Sequence, residues 1–227
     1  MSQHYIAVAI DGPAGAGKST IARAVAAEMG FIYVDTGALY RAVGLYGLRK
    51  NADTTSADQM LPLLEEIKVE LAYVEGEQRV LLNGEDVSQA IRVNEASMAA
   101  SNVSAIPGVR SFLFDLQKNM AKTHNVVMDG RDIGTVILPD AKVKIFLTAS
   151  AESRAKRRFD ELQAKGDPAT YEEVLADMIK RDYDDSHRAI APLKQAEDAI
   201  PVDTSGETLE QSVARMKEIV YKKLGEE

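Results

Sequence analysis

Tyr5 to Ile10 form a short apolar run that stops at Asp11 and a group of glycines. A run of this length predicts a buried strand. From Lys18 to Met29 the period changes. Ile21, Val25 and Met29 recur every four residues, the spacing of one helix face, and Gly30 predicts the C-cap. Phe31 to Val34 predicts a second strand. Strand, helix and strand in that order imply a parallel pair joined by a right-handed crossover.

Further along, Val126 to Met128 predict a third buried strand that stops at Asp129-Gly130, and Val143 to Leu147 a fourth. Ile200 to Val202 predict a short fifth, with Pro201 placing it at an edge or strand end. Alternating strands and helices predict an α/β fold: a doubly wound five-stranded parallel sheet with helices on both faces. About ninety residues separate the second and third strands, too many for one crossover helix. Within them Ile67, Val69, Leu71 and Tyr73 alternate as in a half-buried strand, and Gln78 to Leu82 lead into the hairpin turn Asn83-Gly84. The stretch from about Leu61 to Arg92 therefore reads as a small antiparallel β insert. Val109, Phe112, Leu113, Leu116 and Met120 then mark an amphipathic helix.

Composition narrows the partners. The net charge of −8 argues against a broad nucleic-acid or anionic-membrane surface, so cations for any anionic ligand must be concentrated locally. The absence of cysteine removes disulfides and thiolate metal sites. No run approaches the ~20 apolar residues of a membrane helix, and the N-terminus lacks a basic start and long apolar run. The expectation is a cytoplasmic monomer acting on small molecules. His4, His124 and His187 have no metal-ligand spacing.

Gly12-Pro13-Ala14-Gly15-Ala16-Gly17-Lys18-Ser19, followed by Thr20, fits G-x-x-x-x-G-K-[ST] between a strand and a helix. Glycines let backbone N–H groups curl around phosphate oxygens, and the helix points its positive end at them. Lys18 can reach the outer phosphates and Ser19 can ligate Mg2+. This predicts a P-loop NTPase-type fold that binds a nucleoside triphosphate, leaving open switch, motor, transporter or kinase. Asp203 to Gly206 fit DxxG, but no NKxD follows, which argues against a GTPase switch.

Two strand ends offer acceptor chemistry. Asp35-Thr36-Gly37-Ala38-Leu39-Tyr40-Arg41 follows the second strand. Thr36 brings a hydroxyl, Tyr40 a phenol and Arg41 a planar cation; equally, Asp35 or Thr36 could simply cap a helix. Asp129-Gly130-Arg131-Asp132 follows the third strand, where Asp129 could orient Mg2+ and Arg131 present a bidentate cation, or the four could form a turn with a local ion pair. Arg154, Arg157 and Arg158 share one helical face, and so do Arg181, Asp185 and Arg188. Each set reads either as solvated surface with an Arg181–Asp185 pair or as a closing lid whose arginines stabilise a transferring phosphoryl group.

GPAGAGKST, DTGALYRA, DGRDIGT, SRAKRR and RDYDDSHRAIAPL occur in this order, and together the chain resembles bacterial cytidylate kinase of the long form, over essentially its whole length. The resemblance implies phosphoryl transfer from Mg2+-bound ATP to CMP or dCMP. It implies a core (1–36, 123–152 and 189–227), an acceptor-binding lobe holding the β insert (about 37–122) and a helical Arg-rich lid (about 153–188). By motif, Gly12 to Thr20 would hold ATP, with Lys18 reaching the transferring phosphoryl group. Arg41 and Arg131 would grip the acceptor phosphate, with Gly37 and Tyr40 beside them. Thr36, Arg110, Asp132 and Arg188 would surround cytosine, and Ser101, Arg181 and Asp185 the sugar. Arg154, Arg157 and Arg158 would belong to the lid. Without the resemblance, Arg110 and Ser101 read as an ordinary helix-surface charge and a helix or loop hydroxyl.

Overall fold

The computed structural model describes residues 5–74 and 77–225, so His4 lies outside the described residues. In chain order the elements are β1 (Ala7–Asp11), α1 (Lys18–Met29), β2 (Ile32–Asp35), α2 (Thr36–Arg49), α3 (Ala57–Leu63), β3 (Val69–Val74), β4 (Glu77–Leu82) and β5 (Glu85–Asp86). There follow α4 (Asn94–Ser104), α5 (Pro107–Thr123), β6 (Val126–Gly130), β7 (Val143–Thr148), α6 (Ala151–Gln163), α7 (Tyr171–His187), β8 (Ile200–Asp203) and α8 (Leu209–Gly225).

Five strands make the main sheet, in the order β2-β6-β1-β7-β8, and β3-β4-β5 make a second, smaller one. The pairs β1–β6, β1–β7 and β7–β8 are parallel. Val8, Ala9, Ile10, Val127, Met128 and Leu147 have no exposed surface, which is why these strands read as continuous apolar runs rather than alternating ones. Pro201 lies in the edge strand β8, opposite Phe146, where a missing N–H costs least. The strands run further than their apolar residues. β1 begins at Ala7 and continues to Asp11, which faces Gly130 in register, while β6 includes Asp129 and Gly130. Reading apolar runs stops at the first polar side chain, but a backbone ladder does not.

By backbone contacts the described chain divides into two compact units, Tyr5 with Ile32–Asn125, and Ile6–Phe31 with residues 126–225. The first is built on α2, whose Leu39, Ala42 and Val43 are covered by Met60, Val80, Leu82, Val103, Val109 and Leu113. Its β3–β4 hairpin places Val69 opposite Leu82, Leu71 opposite Val80 and Tyr73 opposite Gln78. Asn83 and Gly84 both take positive φ, 52° and 83°, as a two-residue hairpin turn requires, and β4 and β5 pair across it. The antiparallel insert is thus present, but its expected start is corrected. Residues 61–66 belong to the end of α3 and to a 3-10 turn at Leu64–Glu66. Met60 is fully buried against Gly47 of α2, and that packing favours a helical period there.

In the second unit, β1, β6, β7 and β8 carry α1, α6, α7 and α8. α1 ends at Gly30 in the left-handed conformation expected of a C-cap glycine, at φ 65°. β6 runs into a π-helical turn at Ile133–Ile137. α7 opens on a capping box, with Thr170 and Glu173 each satisfying the other's backbone N–H. No described helix is long and apolar enough to cross a membrane.

Close helix packing in the first unit makes a testable demand. A Cβ on Gly44 of α2 would lie 2.8 Å from the Ala99 Cβ and 3.0 Å from its carbonyl carbon. Gly44→Ala gains about 1 kcal/mol of helix propensity but overpacks the contact by about 1–3 kcal/mol. The expected net result is a lower urea midpoint at unchanged m-value; a raised midpoint would show that the helices separate freely.

Candidate active site

The loop between β1 and α1 is shaped by contacts that exclude side chains. A Cβ on Gly12 would stand 1.9 Å from the carbonyl oxygen of Leu147, so only glycine fits. Gly15 and Gly17 take φ of 74° and 88°, curling the loop ahead of α1. Lys18, the first residue of α1, is buried and donates from Nζ to the Pro13 carbonyl at 2.7 Å. Burial first, then the nearby Arg131 cation, push its amine down to about 7, against the pull of Asp129, Asp185 and Asp11. An incoming polyphosphate would restore its charge. Ser19 donates its hydroxyl to Asp129 Oδ2 at 2.8 Å. A hydroxyl and a carboxylate are hard oxygen donors, and among the described residues no cluster of three His, Cys, Asp or Glu could hold a metal. That donor set fits Mg2+ delivered on a nucleotide, which keeps most of its ligands from phosphate and water.

Asp11, at the end of β1, accepts the backbone N–H groups of Ile133 and Gly134 at 2.8 and 2.7 Å. It thereby ties the loop after β6 to the strand that leads into the glycine loop. Burial raises its carboxyl to about 6, although both N–H groups favour the charged form.

The loop after β6 enters a buried charge network. Arg131 Nε donates to Asp185 Oδ2 at 2.7 Å. Burial alone would raise the Asp185 carboxyl, but Arg131, with Arg188 and Arg181, holds it below the usual range. Arg188 lies 3.5 Å from Asp132 and 4.0 Å from Asp185, with all three side chains nearly enclosed. The expectation that Arg181, Asp185 and Arg188 share a helix is corrected for Arg188. α7 ends at His187, and Arg188 is the extended residue beyond it. Its Nε donates to the carbonyl of Ala191 at 2.6 Å, and Ala191 holds a positive φ of 47°. The bond from Arg131 to Asp185, 54 positions along the chain, is a pairing that helical spacing could not supply.

The arginines of α6 share less than their spacing suggested. Arg154 is buried. It donates to the carbonyls of Ala149 and Ala14, each at 2.9 Å, and grips Asp182 of α7 through both terminal nitrogens. Arg157 donates to the Thr204 carbonyl at 3.0 Å, while Arg158 faces Glu161 on the partly exposed side of the helix. Arg154 is therefore not solvated surface; it joins the glycine loop to α7.

In the first unit, Asp35 caps α2 by accepting from Ala38 N–H at 2.9 Å, one of the two capping roles the sequence allowed. Its other oxygen takes Arg41 at 2.7 Å. Gly37 permits this approach, because a Cβ there would meet Arg41 Nη1 at 3.1 Å. Thr36 is buried as the first residue of α2. Arg110, on α5, is buried rather than on the helix surface, with its guanidinium 5.7 Å from the Tyr40 ring centre. Ser101 is half-buried on α4. Asp11 and Asp182 were not singled out from sequence. Asp182 lies within RDYDDSHRAIAPL but has no assigned role there, and only a preceding buried strand hints at Asp11.

The family model described as cytidylate kinase matches residues 8–222. A cytidylate kinase of Caldicellulosiruptor saccharolyticus is 49% identical over 222 residues, covering 98% of this chain and 98% of its own. One of Carboxydothermus hydrogenoformans is 50% identical over 216 residues, covering 95% of this chain and 97% of its own. Among solved structures, an uncharacterized protein from Eubacterium ventriosum aligns with TM-score 0.53 over 96% of this chain and 98% of that one, at 14% identity, a likeness of fold alone.

The depressed Lys18 amine predicts proton traffic on binding. Above pH 7 the free protein holds Lys18 largely neutral, and a bound triphosphate should recharge it. Calorimetry of a non-hydrolysable ATP analogue, in buffers of different ionisation heat, should show proton uptake growing from pH 6 to pH 8. The nucleotide's own phosphate can only release protons, so uptake that does not grow would mean Lys18 is already charged.

Proposed function

Because the chain belongs to the cytidylate kinase family, we propose that it transfers the γ-phosphoryl group of ATP to CMP or dCMP, giving ADP and CDP or dCDP. The observation that carries this reading is one unit holding both a phosphate loop and a network of Arg131, Asp185, Arg188 and Asp132. The first serves a donor and the second an anionic, base-bearing acceptor.

In the proposed mechanism an oxygen of the CMP phosphate attacks the γ-phosphorus while the bond to the β,γ-bridging oxygen breaks and ADP leaves. The acceptor phosphate is already anionic at neutral pH, so no general base is assigned and no covalent enzyme intermediate forms. The protein's work is to position two anions and offset their repulsion. Gly12 to Thr20 wrap the ATP phosphates, and Lys18 exchanges its bond to the Pro13 carbonyl for the outer phosphate oxygens. Mg2+ bound with ATP would neutralise phosphate charge, held by Ser19 and Asp129. Arg131, already aligned by Asp185, takes the acceptor phosphate, as does Arg41, with Gly37 and Tyr40 beside it. Arg154, Arg157 and Arg158 are assigned to the lid; for Arg154 this means steadying the loop at Ala14.

Cytosine offers an amino donor at N4, which a carboxylate such as Asp132 accepts, with Arg188 3.5 Å from that carboxylate. Thr36 and Arg110 complete the base contacts, and Arg110 can donate to the O2/N3 side. Ser101, Arg181 and Asp185 take the sugar.

A coupled assay should show ADP release that depends on CMP; release without an acceptor, or none with CMP, would leave a nucleotide-binding protein instead. Asp132→Ala should lower kcat/KM for CMP about tenfold to a hundredfold and for UMP by less, because uracil presents an acceptor where cytosine presents a donor. Equal losses would remove Asp132 from base reading.

A further inference from the structure

One face of the β3–β4 hairpin changes character along its length. Its facing pairs are Val69–Leu82, Leu71–Val80 and Tyr73–Gln78. Val69, Leu71, Val80 and Leu82 pack into the core around α2. The third pair is polar, and both of its side chains reach the main chain of β2. The Tyr73 hydroxyl donates to the Tyr33 carbonyl at 3.1 Å. The Gln78 side-chain oxygen accepts the Asp35 N–H at 3.0 Å, and its amide nitrogen donates to the Asp35 carbonyl at 3.5 Å. Gln78 thus gives Asp35 both hydrogen bonds that a neighbouring strand would supply, at the residue where β2 becomes α2. Asp35 in turn caps α2 and holds Arg41.

We propose that Tyr73 and Gln78 are positioning residues, and that the β insert serves to fix the end of β2 so that Thr36, Tyr40 and Arg41 are set for the acceptor nucleotide. This rests on the cytidylate kinase reading above. A hairpin that only covered the core would need the two apolar pairs and nothing from the third. Hairpin register is what brings Tyr73 and Gln78 to the same face, since a one-residue slip of one strand past the other would put them on opposite faces. The Tyr73 phenol is pushed up by burial, so it stays a donor throughout the working pH range.

The test compares Gln78→Met, which keeps bulk and loses the amide, and Tyr73→Phe, which loses only the hydroxyl, with Val80→Ala, which weakens the hairpin core and leaves both bonds. Each is assayed for KM toward CMP and toward ATP, for CMP affinity by calorimetry, and for thermal midpoint. Loss of backbone hydrogen bonds of this kind should raise KM for CMP about three- to tenfold in Gln78→Met, and less in Tyr73→Phe, with KM for ATP within about twofold of wild type. Val80→Ala should lower the midpoint and leave KM for CMP near wild type. Unchanged KM for CMP in Gln78→Met overturns the proposal. So does an equal rise for both nucleotides, or the same rise in Val80→Ala. If wild-type protein binds CMP without phosphorylating it, the functional reading falls, while calorimetric affinities across the same variants still decide the role of Gln78. If it does not bind CMP at all, both fall.

Discussion

Arg131 and Asp185 lie 2.7 Å apart with little of either side chain exposed, and each makes the other's burial tolerable. Removing one partner of such a pair leaves an uncompensated charge, at a cost of about 3–5 kcal/mol, although the intact pair adds little net stability. The pair is better understood as a device for storing a cation where water is scarce. In a chain of net charge −8 each such cation is held in advance beside its own acid. Asp132 does this for Arg188, and Asp182 for Arg154. Lys18 donates to a carbonyl instead, and burial, with the Arg131 cation, depresses its amine.

The scaffold converts these pairs into a defined geometry. Buried parallel strands end at polar residues, and those ends bear the candidate site residues: Asp11 on β1, and Asp129 with the Arg131–Asp132 loop on β6. Asp11 bonds the two backbone N–H groups just beyond Asp132. The phosphate loop and the arginine loop therefore grow from paired strands and are also joined by a carboxylate. Arg154 adds a second restraint from α6 to the Ala14 carbonyl, so the glycine loop, with few side chains of its own, is braced by others.

The first unit uses the same means with less charge. α2 is capped by an acid that also holds Arg41, and a glycine makes room for that contact. Tyr40 and Arg110 come together from α2 and α5, which are about seventy positions apart, because the apolar faces of both helices share one core. The polar end of the β hairpin then reaches the residue on which the cap depends.

Much of this was legible in the residue order. The strand–glycine–helix pattern, the strand ends bearing Asp35 and Asp129, the Asn83-Gly84 hairpin and the helix through Val109 to Met120 are local, set by periodicity, turn chemistry and capping. Family membership also follows from linear motifs. Tertiary structure decided the partners. Spacing pairs Asp185 with its helical neighbour Arg181, and the fold adds Arg131 from another element. Spacing puts Arg154, Arg157 and Arg158 on one face, yet the fold buries the first and leaves the third partly exposed. Arg110 reads as surface and lies against Tyr40, and Gln78 reads as an ordinary strand residue and binds the backbone of Asp35. The physical reason is the same each time. Secondary structure depends on interactions within a few residues, while burial, ion pairing and a shifted pKa depend on which distant elements arrive, and only packing brings them.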